Sequence, residues 1–561
     1  KINGFRKNFQ KIRNTEVKMS VNISKDKRDK LVEKINAVKD YISAAAQDEN
    51  TAQLLTYLAE IEKDIRGKKY GLVFEEHREN IDEFLENNLP VLTENTDLFI
   101  DHGGQMNFLI EGDNLASLQL LEKTHKGMID LIYIDPPYNT GNKDFIYDDN
   151  FVDSNDTFRH SKWLSFMEKR LQIAKNLLSE KGVIFISIDD NEQAQLKLLC
   201  DNIFGENLTE QYIWCLQDKT EGSFVKTAGL TVRKEHEYII ACFKCNGKRY
   251  KKYAGKREFS EGSFSNPDND PRGNWFSGNI SRNGITSTTG SKYYTITNPS
   301  GKSFTRNWTL SKEEYNQALA DNRIYFSKEG SGVPRLKIFQ NSEISLIQSS
   351  LFNDVHTSIT GKNELKSIFT SLPFNFPKPT MLIERLMRIS CENNSTILDF
   401  FAGSGTTGHA VMKLNAEDGG NRKFILCTNN ENHICRDITY ERIKRVIAKE
   451  DYKASLKYFK VDYLPITDKL YYEYADELLK HIRELVELEN AVNFNGNKEI
   501  AIVLTEEELD NFAKQIPVGC KTVYLGHNVL PNKAQEKILA EKSIKIKIIP
   551  EYYYRNEEGA V

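Results

Sequence analysis

The chain has 561 residues, 39% of them hydrophobic and 11% aromatic, with a formal net charge of -4 at pH 7. That length exceeds one ordinary core and argues for roughly three or four globular domains, against a disordered or fibrous protein. With no run of about 18 apolar residues and no charged segment leading into an apolar stretch, the pattern argues against a membrane span or signal peptide, and a cytoplasmic location is expected.

The eight cysteines lack disulfide-like spacing and fit a reducing compartment. Cys242 and Cys245 form a CxxC inside the alternating apolar run "YIIACFKC", which reads as a strand and not as a metal site.

Residues 1–18 are basic and polar and precede Met19, so they read as a leader or an arm ahead of a natural start. From Ser24 to about Arg66, apolar residues recur at three- and four-residue spacing and predict two amphipathic helices; "EEHRENIDEFLENN" predicts a third, ending before Pro90. A helical N-terminal region is therefore expected over 1–95. Beyond it, "NFLIEGDN", "IDLIYID" and "GVIFISIDD" are short apolar runs that each close on an acid and are separated by helical segments, the signature of a doubly wound α/β sheet whose ligands lie beyond the strands' carboxyl ends. This pattern fills 96–245.

Residues 246–372 shift to Gly, Ser, Asn, Lys and aromatics, with 18 Lys plus Arg against 11 Asp plus Glu, a local balance of +7 in a chain that is negative overall. The α/β pattern resumes over 373–460 with "STILDFFAGSGTTGHAVMKL" and "KFILCTNNE", so a basic α+β insert splits one sheet domain. The last stretch, 461–561, holds a helix pattern from Lys469 to Glu489 and a small α/β piece containing "EIAIVLT", "KTVYLG" and "IKIKIIP". It carries no catalytic motif and is assigned to packing, assembly or DNA contact.

"LDFFAGSGTTG" places Gly403, Gly405 and Gly408 in GxGxxG spacing between a strand and a helix, where glycines let the backbone turn sharply and approach a ligand closely. Glu431, after the next strand, stands where an acid can hold ribose hydroxyls. The loop has no Lys for a P-loop, and by itself it fits a nicotinamide dinucleotide equally well. The second motif, "DPPY" at 135–138, narrows the choice. An adenine amino nitrogen has its lone pair delocalised into the ring and attacks a methyl donor only when acceptors hold its two hydrogens. Asp135 and the Pro136 carbonyl can do so, while Tyr138 can stack on a base rotated out of the duplex.

With these motifs in place the chain resembles an amino-group DNA methyltransferase of the β order, dependent on S-adenosylmethionine. "KYGLVFEEH", "LIEGDNLASLQLL", "IDLIYIDPPYNTG", "GVIFISIDDNE", "EHEYIIACFK", "PDNDPRGNW" and "FPKPTMLIERLMRI" resemble the modification (Mod) subunit of type III restriction-modification systems, over about Lys69 to Asp462. The resemblance implies a Rossmann-like methyltransferase sheet with permuted motif order. It makes Asp135, Pro136, Pro137 and Tyr138 catalytic and the 246–372 insert the target-recognition domain. Phe401, Gly403, Gly405 and Lys378 would line the cofactor's amino acid portion, Lys378 by meeting its carboxylate. Asp113, Asp399 and Glu431 would lie near its amino group, ribose or adenine. No metal is required. Double-stranded DNA, a homodimer and a restriction (Res) subunit are the partners implied, and DPPY favours adenine N6 over cytosine N4.

Lys248, Arg249, Lys251, Lys252, Lys256 and Arg257, interleaved with Tyr250 and Tyr253, read as phosphate contacts. Arg272 and Trp275 in "PDNDPRGNW" either shape a loop or touch DNA. Asp189, Asp190 and Glu192 read as helix-capping acids rather than a metal cluster. His236 reads as structural. Two other classes remain open on the residues alone: a nicotinamide-dependent oxidoreductase, from the glycine spacing, and a DNA-binding specificity subunit with a decayed cofactor site.

Overall fold

The structure, a computed structural model, describes residues 23–44, 49–66, 74–141, 145–216, 234–245, 253–255, 264–282, 290–466 and 478–549, less up to three residues at a time within the longer spans. Two compact units meet in sequence between Phe74 and Glu75. In the first, helices Ile23–Ala44 and Glu49–Arg66 pair through their apolar stripes, and Lys39 Nζ meets Glu62 Oε2 at 2.7 Å. Residues 1–18 lie outside the described residues.

The second unit is built on a ten-stranded mixed sheet. Its strands are β1 (Asn88–Glu94), β2 (Gln105–Glu111), β3 (Ile129–Ile134), β4 (Leu178–Ile188), β5 (Thr209–Cys215), β6 (His236–Phe243), β7 (Leu351–Phe352), β8 (Thr396–Asp399), β9 (Lys423–Thr428) and β10 (Ala454–Pro465). Across the sheet the order is β1, β10, β2, β9, β8, β3, β4, β6, β5, β7. The six strands from β10 to β4 run parallel, and β6 is antiparallel to both β4 and β5. Covered on both faces, the parallel strands are near-continuous apolar runs, and Leu131, Ile132 and Ile134 of β3 are wholly buried. The antiparallel β6 has no separate signature, since a buried strand reads alike in either direction.

The third predicted helix forms over Asn80–Asn87, and the chain then continues straight into β1. Pro90 is tolerated there because β1 is an edge strand. Six helices matter to the site: α1 (Asn114–His125), α2 (Arg159–Leu177), α3 (Gln193–Phe204), α4 (Thr380–Ser390), α5 (Thr406–Asp418) and α6 (Glu441–Glu450).

The insert forms short antiparallel pairings of its own, including Trp275–Asn279 against Pro334–Phe339 and the hairpin Tyr293–Thr297 with Ser303–Asn307. Ile280, Ile296, Trp308, Tyr315 and Ile324 make its core. Its helix Lys312–Ala320 starts on a Ser311–Glu314 capping box. The main sheet is rejoined at β7, ahead of the residue 372 boundary expected from composition. Near the end of the chain, Ile500–Val503, Thr522–Leu525 and Lys545–Ile548 form a three-stranded parallel sheet with a separate core, as the α/β pattern predicts. The helix expected over Lys469–Glu489 instead starts at Ile482, with His481 at its N-cap, and runs to Asn490, while residues 469–477 lie outside the described residues.

Candidate active site

β3 stops at Ile134 because neither Pro136 nor Pro137 has an N–H for the ladder, and residues 135–140 continue without regular structure. Buried Trp163 on α2 donates its indole N–H to the Pro137 carbonyl at 2.8 Å. Asn139 takes a left-handed conformation (φ 57°), which asparagine tolerates better than most residues. Its amide donates to Glu192 Oε1 at 2.5 Å and to the Arg159 carbonyl at 3.2 Å. Glu192 is fully buried and also meets His160 Nδ1 at 2.7 Å; burial pushes its carboxyl up to about 8, so it is largely protonated at neutral pH.

The glycine loop leaves the carboxyl end of β8, the strand beside β3. Gly403 (φ 50°) and Gly405 (φ 76°) are both left-handed, and Gly405 precedes the first turn of α5. Gly408 serves packing instead: a Cβ there would lie 2.8 Å from Ile443 Cδ1 and 3.1 Å from Leu426 and Phe424. Asp399 turns inward, accepting from Phe401 N at 3.0 Å and Thr407 Oγ1 at 2.5 Å; burial raises its carboxyl to about 7. Beneath the loop, Arg442 of α6 donates to Ser404 O and Thr406 Oγ1 at 3.3 and 2.7 Å, and Thr439 Oγ1 donates to Gly403 O at 2.6 Å from a π-helical turn over Ile434–Tyr440. Ring contacts link Phe401 to Phe166 (5.8 Å between centroids), and Phe374 Cζ sits 3.5 Å from the position a Cβ on Gly403 would take.

Lys378 closes the site from "FPKPT", just ahead of α4. Its buried ammonium lies 2.9 Å from Asp135 Oδ1, donates to Tyr138 OH at 2.7 Å, and stands 3.4 Å from Glu237 Oε2 of β6. Tyr138 OH in turn donates to Glu237 Oε2 at 2.9 Å. Burial alone would discharge the lysine, yet Asp135 and Glu237 outweigh it and hold its pKa above the usual lysine value. Burial, with Asp135 and Glu237 alongside, likewise keeps the Tyr138 phenol protonated. The sequence directs Lys378 to a cofactor carboxylate; in the structure its ammonium is engaged by these three side chains. Asp135 Oδ1 is buried against the Lys378 ammonium and meets no other donor.

Comparison with known proteins identifies the family. The model of the N6_N4_Mtase family, described as DNA methylase, matches residues 129–442, more than half of the chain. The chain belongs to the DNA methylase family. The StyLTI Mod subunit of a type III restriction-modification enzyme from Salmonella typhimurium is 36% identical over 384 residues, spanning 61% of this chain and 57% of the relative. The type II methyltransferase M.KpnI of Klebsiella pneumoniae is 33% identical over 397 residues, 63% of this chain and 89% of the relative. The EcoPI Mod subunit of Escherichia phage P1 is 31% identical over 385 residues, 59% of this chain and 58% of the relative. The chain thus spans little more than half the length of the type III subunits it matches.

The remaining predicted residues fall in several places. Asp113 caps α1, accepting from Leu115 N at 2.7 Å, with Arg170 Nη2 at 4.0 Å from its other oxygen. Arg170, buried on α2, grips Glu79 at 2.7 and 3.0 Å and Asn114 at 2.6 Å, tying the segment ahead of the Asn80–Asn87 helix to the start of α1. Glu431 is exposed on a short 3-10 turn after β9. Arg272 is committed to the insert's fold: it pairs with Asp270 at 2.8 Å, donates to the Asp321 carbonyl at 2.9 Å and covers the Phe339 ring. Lys248, Arg249, Lys251, Lys252, Lys256 and Arg257 lie outside the described residues. Among the described residues no group of three or more His, Cys, Asp or Glu side chains is placed to hold a metal, and no helix is long and apolar enough to cross a membrane.

Sequence reasoning missed Glu237, Trp163, His160, Thr439 and Arg442 as site residues. Glu237 sits within "EHEYII", where the strict apolar run that follows marks a strand and nothing marks which neighbour the acid meets.

Proposed function

We propose that this chain is a site-specific DNA methyltransferase that transfers a methyl group from S-adenosylmethionine to N6 of an adenine rotated out of double-stranded DNA, as the Mod subunit of a type III restriction-modification system. The observation that carries this reading is the juxtaposition, on neighbouring strands, of the Asp135–Tyr138 loop and the Gly403–Gly405 loop. The residues present fit the cofactor. The loop offers two left-handed glycines and aromatic surface, while Arg442 is turned inward onto Ser404 and Thr406 rather than outward toward a pyrophosphate. S-adenosylmethionine, when bound, supplies an electrophilic methyl on a sulfonium.

The chain's own residues aim the nucleophile. Asp135 takes one hydrogen of the adenine amine in place of the Lys378 ammonium that its buried oxygen now meets, and the Pro136 carbonyl takes the other, which localises the nitrogen lone pair for in-line attack. Tyr138, held at its hydroxyl, presents a rigid ring on which the extruded base stacks. The basic insert provides phosphate contacts and base readout, and Glu431, exposed beyond β9, reaches the ribose. The StyLTI and EcoPI likenesses, both to subunits of type III restriction-modification enzymes, support a Res partner for this chain. A second reading, a stand-alone methyltransferase, is favoured by the M.KpnI match, which spans 89% of that enzyme.

Sequencing that detects N6-methyladenine in DNA from cells expressing the chain tests base, activity and site together. The expected result is methylation at one short motif, lost with Asp135→Ala while cofactor binding survives. Absence of the mark in cells making folded protein would refute the reading, and loss of cofactor binding in Asp135→Ala would make Asp135 structural. Co-purification of a DNA-cleaving chain separates the Mod assignment from the stand-alone one.

A further inference from the structure

The tetrad around Tyr138 contains one carboxylate more than the proposed chemistry uses. Asp135 holds the amine, yet Glu237 stands in the same cluster, reaching in from β6, with its side chain only 18% exposed. We propose that Glu237 is a positioning residue of the flipped-base pocket: it fixes Tyr138 by its hydroxyl and provides the second counter-charge that lets Lys378 release Asp135 when an adenine amine arrives. This inference rests on the methyltransferase reading above.

The argument begins with the donor count. A lysine ammonium has three hydrogens, and Lys378 has three acceptors around it: Tyr138 OH at 2.7 Å, Asp135 Oδ1 at 2.9 Å and Glu237 Oε2 at 3.4 Å. The hydrogen bonds run in one direction, from Lys378 to the tyrosine oxygen and from the tyrosine hydroxyl to Glu237, so each polarises the next. Lys378 Nζ is 4.9 Å from the ring centroid but 2.7 Å from the hydroxyl, so it holds the polar end of Tyr138 and does not cover a ring face.

Charge decides the rest. Asp135 must accept an amine hydrogen, but an ammonium 2.9 Å away competes for the same oxygen. A buried ammonium gives up a counter-ion only at heavy cost unless another is in reach. Glu237 is that second counter-ion, already 3.4 Å from Nζ, so Lys378 can shift its weight from Asp135 to Glu237 while keeping its bond to Tyr138. Without the Glu237 charge, Lys378 has Asp135 alone and locks the catalytic carboxylate in the ion pair.

The test uses the full-length chain at saturating S-adenosylmethionine and a duplex carrying the adenine site mapped by sequencing. Glu237→Gln keeps an oxygen to accept from Tyr138 and removes only the charge. The expected result is a kcat lower by roughly tenfold to a hundredfold with the 2-aminopurine flipping signal within about twofold of wild type. Adding Lys378→Gln to Glu237→Gln should recover most of that kcat, because the lock is then gone. Tyr138→Phe should instead raise KM for DNA and weaken the flipping signal. A Glu237→Gln chain with wild-type kcat overturns the inference, as does one whose kcat falls and is not restored by Lys378→Gln, since a merely structural acid gains nothing from deletion of its neighbour. If the wild type transfers no methyl to the duplex, the methyltransferase reading itself has failed.

Discussion

Thr396 N donates to Asp130 Oδ2 at 3.0 Å across 266 residues of sequence, and the same carboxylate accepts from Ser179 Oγ at 3.0 Å. One side chain therefore pins the amino ends of β8, β3 and β4 together, and β8 and β3 continue in register as Ile397 opposite Leu131 and Leu398 opposite Ile132. Because the pairing is fixed there, the residues that leave the two strands, Asp135 and Asp399, arrive side by side at the other end.

Replacing Asp130 should loosen that registration. Asp130→Ala leaves a strand amide and a hydroxyl without their acceptor, and the expected cost is about 1–3 kcal/mol in urea unfolding. An unchanged unfolding midpoint would mean that ladder hydrogen bonds alone set the register.

The glycines of the loop should separate by readout. Gly408→Ala pushes a methyl to 2.8 Å from Ile443, and overpacking of this kind costs about 1–3 kcal/mol of stability. Gly403→Ala meets no such neighbour but must hold φ 50°, so its effect should fall on the loop and appear as roughly tenfold weaker S-adenosylmethionine binding by calorimetry. Equal stability losses with equal cofactor affinities would remove the distinction drawn between them.

Glu192 should make stability depend on pH. Its carboxyl has a folded pKa near 8, against an ordinary value of 4.5, because burial outweighs the Asn139 hydrogen bond and the Arg159 charge, and Asp189 adds to the rise. The folded state therefore keeps a proton that the unfolded chain loses. The resulting stabilisation is complete below about pH 4.5, declines as the pH rises, and is gone once the pH passes about 8. Glu192→Gln, which cannot ionise but can still accept from Asn139, should flatten that slope. Parallel Tm profiles for the two proteins between pH 5 and 9 would contradict a buried neutral acid.

Trp163 should matter to catalysis through a carbonyl. Its indole holds Pro137 O at 2.8 Å, so Trp163→Phe frees the loop at its second proline while keeping most of the buried ring. The expected result is a kcat reduced roughly tenfold with cofactor affinity unchanged. Wild-type kcat would show that the two prolines hold the loop unaided.

The sequence by itself determined the elements that local chemistry dictates. Prolines after "IYID" end a strand, left-handed glycines after "LDF" turn the chain, and apolar runs closing on acids make an α/β sheet; each depends on neighbours a few residues away. Tertiary structure alone decided which distant side chains share the site. Lys378, expected at a cofactor carboxylate, is placed by the irregular segment ahead of α4 onto Asp135, Tyr138 and Glu237, and Arg272, besides its local pairing with Asp270, reaches the Asp321 carbonyl 49 residues away. The antiparallel entry of β6 brings Glu237 to Tyr138, a meeting 99 residues apart that no periodicity encodes. Spacing records what a residue can do, whereas charge pairing in a buried cluster depends on strand order and register, which are settled only when the whole sheet closes.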